Sequence, residues 1–497
     1  MFIDNSRYLI CSHMNQELII GKYTLESLTN GMYASPLDLY REYIQNAVDS
    51  IDNAVKTSLE KKEIFEIAVT IDQDNNTISI YDNGQGLSVK NAASTLIDIG
   101  NSSKQRTINR GFRGIGRLAG LGYCDELIFS TSFAGERKKT IVRYNAKLLK
   151  ELLLVSNDKN VSVHDVMRLI ISVHEIEEKE SKHYFEVKMI GASRKDGLLD
   201  IEKVRDYLIQ HAPLPYNEKF RWKSPIEEKV KIAGYVIPNY CICFNGEKLY
   251  KPYLDCFVSD RVKKITDNIQ DISVQPFYRD GILSAVLWYA NTNFYGTIND
   301  NSIKGIRIRQ GNILIGDRST CNTFFKEERF NGWLVGELHI LDPELIANSR
   351  RDDFEKNDAY YSLVEMIREW AYFVSKEIRK ISYERSLSRE KKAIVEAQSF
   401  DDINELCSED FSYAEDVTES DYLDSSDSVA VAEMDYMDKL SSLLNQKKTQ
   451  TKYRALNINF KLTVEQRKVL ERVFDLIQQE YSDEEAEQFI CTIASQF

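Results

Sequence analysis

The chain has 497 residues, of which 43% are hydrophobic and 11% aromatic, enough for roughly two to four domains with real cores. Its longest apolar runs, such as residues 282–290, fall short of the ~20 residues of a membrane helix, and its first residues lack the pattern of a signal peptide. We therefore expect a soluble, cytoplasmic protein without a membrane partner. The net charge of −13 argues against a generally basic nucleic-acid binder, although it leaves room for a local basic face.

The eight cysteines follow no disulfide framework. Cys241 and Cys243 alternate on a predicted strand and would therefore face the same side of it. A zinc site would need a second cysteine or histidine pair at a suitable spacing, and the sequence has none. This pattern favours buried, reduced thiols.

The first region alternates helical and strand patterns. Ser35 and Pro36 predict the start of a helix that runs through residues 37–55. Residues 64–72 and 77–81 alternate apolar and polar side chains around two asparagines, which predicts a β-hairpin. Further strands are predicted at three places, which are residues 126–132, 139–144 and 184–190.

A second α/β region is predicted after a helix that begins near residue 201. Its strands are expected near residues 240–245, 282–290, 305–309 and 332–340, followed by a helix over residues 359–389. Residues between Lys392 and Lys439 contain neither Lys nor Arg, which predicts a flexible acidic linker. The predicted division is residues 1–205, residues 206–390, a linker over residues 391–455 and a helical hairpin over residues 456–497.

Three motifs carry the chemistry. The first is on the predicted helix, where Glu42, Asn46 and Asp49 share one face at i, i+4 and i+7. A solvated surface helix would explain this polar stripe equally well. The second motif, residues 82–86, ends a strand with Asp82 and places Gly84 and Gly86 in a turn.

That turn permits close approach of a flat ligand, and its carboxylate can accept a hydrogen bond from an exocyclic amine such as that of adenine. An ordinary Asn-Gly turn is the alternative. The third motif has Gly111, Gly114 and Gly116 before a helix expected near Leu118, an arrangement typical of an anion cradle. It matches neither a P-loop nor G-x-G-x-x-G. The polar segment before it, residues 99–104, could form a lid over phosphates.

In this order and at these separations, the three motifs over residues 30–190 resemble the GHKL ATPase superfamily. Its members include the ninety-kilodalton heat-shock chaperones, MutL, type II topoisomerases, MORC proteins and sensor histidine kinases. The resemblance implies an α+β protein. A Bergerat-type α/β sandwich would bind ATP, and a transducer-like (S5-type) α/β domain, the acidic linker and the helical hairpin would follow it.

The resemblance also assigns roles. Asn46 would bind Mg²⁺, Glu42 would orient or deprotonate the attacking water, and Asp82 would bind adenine in a pocket shaped by Gly84 and Gly86. The remaining positions expected to contact the nucleotide, with Lys104 and Arg113 as lid residues, are Asp49, Ser102, Ser103, Lys104, Gly111, Arg113, Gly114, Ile115 and Gly116. One departure is the predicted strand at residues 183–187, which lacks the Thr that family members often place beside the aspartate.

Glu42 favours a branch of the superfamily that hydrolyses ATP. Residues 305–316 and 345–354 resemble the transducer region of heat-shock-chaperone-type and MORC-like members, in which a basic residue reaches the γ-phosphate. We expect that residue to be Arg351, then Arg350, then Lys304, because arginine suits bidentate phosphate contacts. The alternative is that the two arginines pair with Asp352 and Asp353 at the surface.

The sequence thus predicts a Mg²⁺-dependent ATPase that drives a conformational clamp, as a homodimer with protein clients. A MORC-like or MutL-like DNA clamp in genome maintenance or defence is an alternative. It would use basic patches such as residues 229–231, 261–264 or 379–380. A further alternative is a nucleotide-dependent interaction switch with little hydrolysis.

Overall fold

The computed structural model describes residues 21–29, 35–57, 64–98, 116–154, 162–260 and 264–399, with side chains except at 27–29 and 386–399. The chain divides into two compact units, Met1–Lys391 and Lys392–Phe497. Residues 391–399 of the predicted acidic linker are helical, as the end of the helix Asp358–Ser399. The rest of the predicted linker and the C-terminal hairpin lie outside the described residues. Within the described part, every helix is too short or too polar to cross a membrane.

The first half of the chain supplies most of a large sheet and the helices that pack on it. The helices are α1 (Tyr23–Thr29), α2 (Asp38–Lys56), α3 (Val89–Ile97), α4 (Ala146–Leu154), α5 (Val163–Ile170) and α6 (Ile201–His211), with a 3-10 helix at Gly116–Gly122. The strands are β1 (Glu66–Asp72), β2 (Thr77–Asp82), β3 (Glu126–Ser132), β4 (Lys138–Asn145), β5 (Ile171–Glu177) and β6 (Tyr184–Ile190).

The second half begins with α7 (Lys223–Ile232), β7 (Cys241–Phe244) and β8 (Glu247–Lys248). Its other elements are β9 (Cys256–Ser259), β10 (Ile265–Asn268), β11 (Asp271–Arg279), β12 (Ile282–Asn291), β13 (Gly305–Gln310), β14 (Ile313–Ile315), 3-10 helices at Thr320–Phe324 and Glu328–Trp333, β15 (Val335–Ile340) and α8 (Asp358–Ser399). Strands β11-β12-β15-β13-β14 form a second sheet, and β9 pairs with β10.

The large sheet has the order β5-β4-β3-β6-β2-β1-β7-β8. Alternate residues of β1, including Ile67 and Val69, are buried in one core with Leu39, Ala47 and Ile51 of α2. The helix therefore packs on one face of the sheet. This agrees with the sequence, in which apolar residues recur at every second position of the strand and along one face of the helix. This α/β layering confirms the predicted fold class for the ATP-binding region.

The predicted β-hairpin is confirmed. Strands β1 and β2 pair antiparallel from Ile67–Asp82 to Asp72–Thr77, and Asn76 adopts a φ of 50° in the turn. Helix α2 begins at Asp38, slightly after the predicted start. Ser35 still contributes, since its backbone N–H donates to Asp38 Oδ2 (3.2 Å) and its hydroxyl accepts from the Leu37 N–H (3.3 Å).

One predicted strand lies in a different sheet from the one expected. The segment near residues 240–245 was placed in the second α/β region, yet β7 pairs parallel with β1 of the large sheet. Ile242 and Phe244 are buried in the first core. Strand β7 joins the large sheet because its apolar residues are buried there and because it pairs with the otherwise open edge of β1.

A buried ionic network lies in the second half, centred on Glu337 of β15. Its carboxylate accepts hydrogen bonds from Lys251 Nζ (2.6 Å), Arg309 Nε and Tyr253 Oη (3.0 Å). Burial alone would raise the pKa of Glu337, but Arg309 and Lys251 hold it well below its ordinary value. Because all these charges are removed from water, loss of one partner would be costly.

Helix α6 makes hydrogen bonds both to α2, which packs on the large sheet, and to β13 of the second sheet. Past the middle of α6, Tyr207 Oη donates to Asp38 Oδ1 at the start of α2 (2.8 Å). At its C-terminal end, Gln210 accepts from Arg307 Nε through its side chain (2.9 Å) and from Arg309 Nη2 through its carbonyl (3.1 Å). A continuous set of hydrogen bonds thus joins α2 to β13.

Candidate functional site

The polar face of α2 is enclosed by protein. Glu42 retains 8% of its exposure and Asp49 3%, while Asn46, between them, is half-buried. This burial excludes the interpretation of the stripe as a solvated helix surface. A buried carboxylate is costly unless it is paired, hydrogen-bonded or bound to a cation. The burial of Glu42 and Asp49 therefore makes this face a candidate site.

The turn after β2 packs directly on α2. Asp82 is 1% exposed, and its Oδ1 accepts a hydrogen bond from the Gly84 N–H (2.9 Å). A Cβ atom at Gly84 would lie 2.4 Å from Ser50 Oγ and 2.7 Å from Asp82 Oδ1. The Gln85 N–H donates to the Ser50 carbonyl (3.1 Å). Ser50 follows Asp49, so the first two motifs converge in space.

Gly86 is required by both backbone conformation and space. Its φ is +67°, and an added Cβ would lie 2.0 Å from the Ser132 carbonyl oxygen. The neighbouring Gly84 carbonyl is 2.7 Å from His183 Nδ1. The turn is thus fixed against both α2 and the far side of the sheet.

Thr131 is a residue that the sequence analysis missed. It is fully buried in β3, and its hydroxyl accepts from the Leu87 N–H (2.8 Å) and donates to the Tyr184 carbonyl (3.0 Å). Phe185 of β6 pairs with Asp82 on one side and with Thr131 on the other. Strand β6 lacks a threonine, as the sequence indicates. Thr131 on the neighbouring strand β3 instead holds the end of the turn through its hydrogen bond with Leu87. The run Ser130-Thr131-Ser132 was the available signal.

The end of the glycine-rich loop reaches Glu42. A Cβ atom on Gly116 would lie 2.3 Å from Glu42 Oε2. Gly116 begins a 3-10 helix instead of the expected α-helix, and Tyr43 Oη accepts from the Gly120 N–H (2.8 Å). The other predicted nucleotide contacts in the loop and lid lie outside the described residues. They are Ser102, Ser103, Lys104, Gly111, Arg113, Gly114 and Ile115.

Arg351 meets Glu42 from a point 309 positions away in the chain. Its Nε lies 3.1 Å from Glu42 Oε1, and both side chains are 11% exposed. Arg351 also holds a φ of +56°, a left-handed conformation that costs a long side chain on the order of 1 kcal/mol. The strained backbone and the long-range ion pair occur at the same residue.

The other two basic candidates are placed differently. The Arg350 side chain is exposed, although its carbonyl accepts from Arg41 Nη2 (3.0 Å) on α2. Lys304 lies over Gly332, where an added Cβ would be 3.0 Å from Lys304 Cε. Among the described residues, the ion pair found for Arg351 is with Glu42 and not with Asp352 or Asp353, the pairing considered as the alternative.

The donors on α2 fit a hard cation. Asn46 offers an amide oxygen, and Glu42 and Asp49 offer carboxylate oxygens on the same helix face. Mg²⁺ prefers oxygen ligands and uses few protein side chains when it also binds substrate phosphates. The residue types present are therefore suited to Mg²⁺.

The comparisons with known proteins agree with this geometry. Residues 41–181 match the family described as histidine kinase-, DNA gyrase B- and HSP90-like ATPase. This segment contains Glu42, Asn46, Asp82 and Gly116. Residues 41–181 are therefore similar to the ATP-binding domains of the GHKL ATPase superfamily.

The comparisons extend to a heat-shock chaperone. The chaperone protein HtpG of Acinetobacter baylyi is 28% identical over 129 residues, which cover 22% of this chain. The chain spans 20% of the length of that curated relative. Within the superfamily, the similarity therefore points to the heat-shock-chaperone type.

Proposed function

We propose that this chain is a Mg²⁺-dependent ATPase whose turnover drives a conformational cycle. The observation that carries the proposal is the contact between Arg351 and Glu42, because it joins the second α/β region to the polar face of the ATP-binding domain. The same helix presents Asn46 and Asp49, so the contact places a cation beside the candidate ligands for Mg²⁺ and phosphate.

Each residue has a chemical task in this proposal. Asp82 accepts a hydrogen bond from the adenine amine, and Gly84 and Gly86 keep that pocket free of side chains. Asn46 would hold Mg²⁺, which would supply positive charge beside the phosphates. Glu42 orients and deprotonates the attacking water. Phosphoryl transfer depends mainly on positioning and charge neutralisation, which these groups provide.

Arg351 supplies the coupling between chemistry and conformation. In the structure its guanidinium occupies one oxygen of the Glu42 carboxylate. A γ-phosphate carries more negative charge than one carboxylate and offers the geometry that arginine binds best. Bound ATP would thus draw Arg351 from Glu42 and free the base, and hydrolysis would remove the reason for the new contact.

The proposed cycle is a dimeric clamp with protein clients, in which residues 206–390 act as the transducer. Two features support protein over DNA as the partner. The net charge is −13, and the similar HtpG is named a chaperone. In two of the basic patches, Lys229 pairs with Asp271 (2.9 Å) and Arg379 pairs with Glu327, which reduces their positive charge.

The test replaces Glu42 by Ala and measures ATP binding by calorimetry and phosphate release at steady state. We expect binding to persist and phosphate release to stop. Continued turnover would show that Glu42 is not the base. Single-turnover kinetics on the unmodified chain address the switch alternative, since tight binding without any product would favour it. A salt titration addresses the DNA alternative, which requires measurable affinity at low salt.

A further inference from the structure

Three potential metal ligands meet on the edge of the large sheet. Strands β1 and β7 pair in parallel, with Glu66 opposite Cys241 and Ala68 opposite Cys243. The carboxylate of Glu66 and the two thiols all lie within 4.8 Å of one another. Both cysteines are free thiols, as expected, but they are half-buried and not buried.

This cluster lies on the opposite face of the sheet from the nucleotide site. Side chains alternate along a strand, so Glu66 points away from the side of Ile67. Ile67 is buried in the core beneath α2 and pairs with Asp82. Likewise Ile242, between the two cysteines, is buried in that core. The cluster is thus separate from the residues proposed to bind ATP.

The donor set identifies the class of ligand. Two sulfurs and one carboxylate oxygen suit zinc and related thiophilic cations, whereas Mg²⁺ prefers oxygen alone. Zn–S bonds of ~2.3 Å in a tetrahedral site place the two sulfurs about 3.8 Å apart, which small rotamer changes reach from the observed spacing. We propose that Glu66, Cys241 and Cys243 bind a zinc-like divalent cation, with a fourth position left to solvent.

Binding there would fasten two distant segments together. Strand β7 comes from the segment after α7, and β1 leads through the hairpin to Asp82. The Glu66 N–H donates to Asn83 Oδ1 (2.7 Å), so one ligand adjoins the residue after Asp82.

The experiment uses Co²⁺ as a spectroscopic substitute for zinc on the full chain, reduced and treated with a chelator. We expect one equivalent of Co²⁺ to produce thiolate charge-transfer absorption that Zn²⁺ abolishes. Replacement of Cys241 or Cys243 by Ser, or of Glu66 by Gln, should weaken binding more than about tenfold. The matched control is Cys256→Ser, since Cys256 is an exposed thiol on β9.

Three results would overturn the proposal. One is Co²⁺ binding without charge-transfer absorption, and another is unchanged affinity in both cysteine variants. The third is a Cys241–Cys243 disulfide detected by mass spectrometry in freshly purified protein. Circular dichroism of each variant checks the fold, and Glu66→Ala replaces Glu66→Gln if the latter unfolds. Because the readout is independent of ATP turnover, its failure leaves the proposed ATPase activity untouched.

Discussion

Replacement of Arg351 by Met tests the link between the two regions. The change removes the charge and keeps much of the apolar length. The two side chains lie 3.1 Å apart and are each 11% exposed. At that distance an effective dielectric constant of about 20 gives an attraction of about 5 kcal/mol, and the cost of keeping the Arg351 charge out of water offsets part of it. Glu42 would keep its charge in a nearly buried position. We therefore expect unfolding free energy to fall by about 2 kcal/mol.

The catalytic effect should be larger. An arginine that contacts the transferring phosphate contributes about 10³-fold or more to turnover, so Arg351→Met should lower phosphate release by that order. Arg350→Met is the control, since its side chain is exposed and its carbonyl makes the contact with Arg41. We expect that variant to differ little from the unmodified chain.

A double-mutant cycle measures the pair directly. Denaturant unfolding of Arg351→Met, Glu42→Gln and the double variant should give a coupling energy of about 1–3 kcal/mol. Additivity within about 0.5 kcal/mol would refute the argument that the two charges stabilise each other. Unchanged phosphate release in Arg351→Met would refute the proposed role in turnover.

Three further predictions use two glycines and a half-buried histidine. Gly116→Ala should displace the Glu42 carboxylate, because the new Cβ would lie 2.3 Å from Oε2. Phosphate release should then fall while the ATP affinity measured by calorimetry persists. Equal loss of turnover and affinity would contradict this prediction. Gly86→Ala should destabilise the fold by more than about 3 kcal/mol in urea unfolding, because its Cβ would meet a backbone oxygen at 2.0 Å. Gly135→Ala is its control, with a similar φ of +86° but open space, and equal losses would show that strain alone decides. Burial lowers the pKa of His211 to about 4, below the ~6.5 of the unfolded chain. The unfolded chain therefore binds the extra proton between these values, and unfolding free energy should drop by up to about 1.4 kcal/mol per unit as pH falls through that window. His211→Gln should lose this slope in urea titrations at several pH values; parallel curves would contradict the assignment.

Local patterns in the sequence were sufficient for much of the first region. The hairpin before Asp82 follows from alternating residues around two asparagines, and its register is the one that buries Ile67 and Ile71. The spacing of Glu42, Asn46 and Asp49 predicted a common helix face, and the structure adds that this face is buried. These features could be predicted because the periodicity of a helix or strand is visible within a short stretch of sequence.

Contacts between distant segments could not be read from the sequence. Strand β7 has an alternating pattern that fits either sheet, and only the burial of Ile242 and Phe244 beside β1 decides between them. For the same reason Glu66 was not considered as a partner of Cys241, which it meets only through that pairing. The 3-10 helix at Gly116–Gly122 depends on Tyr43, another long-range contact.

Calorimetric titration with ATP in the presence of Mg²⁺ tests most directly whether the turn after β2 forms an adenine pocket. The comparison is between the unmodified chain, Asp82→Asn, and Asp74→Asn, an exposed carboxylate at the tip of the same hairpin. Loss of the buried acceptor should weaken binding by about 10- to 100-fold, or about 1.4–3 kcal/mol, in Asp82→Asn alone. Equal affinity in all three proteins would contradict the account of this site.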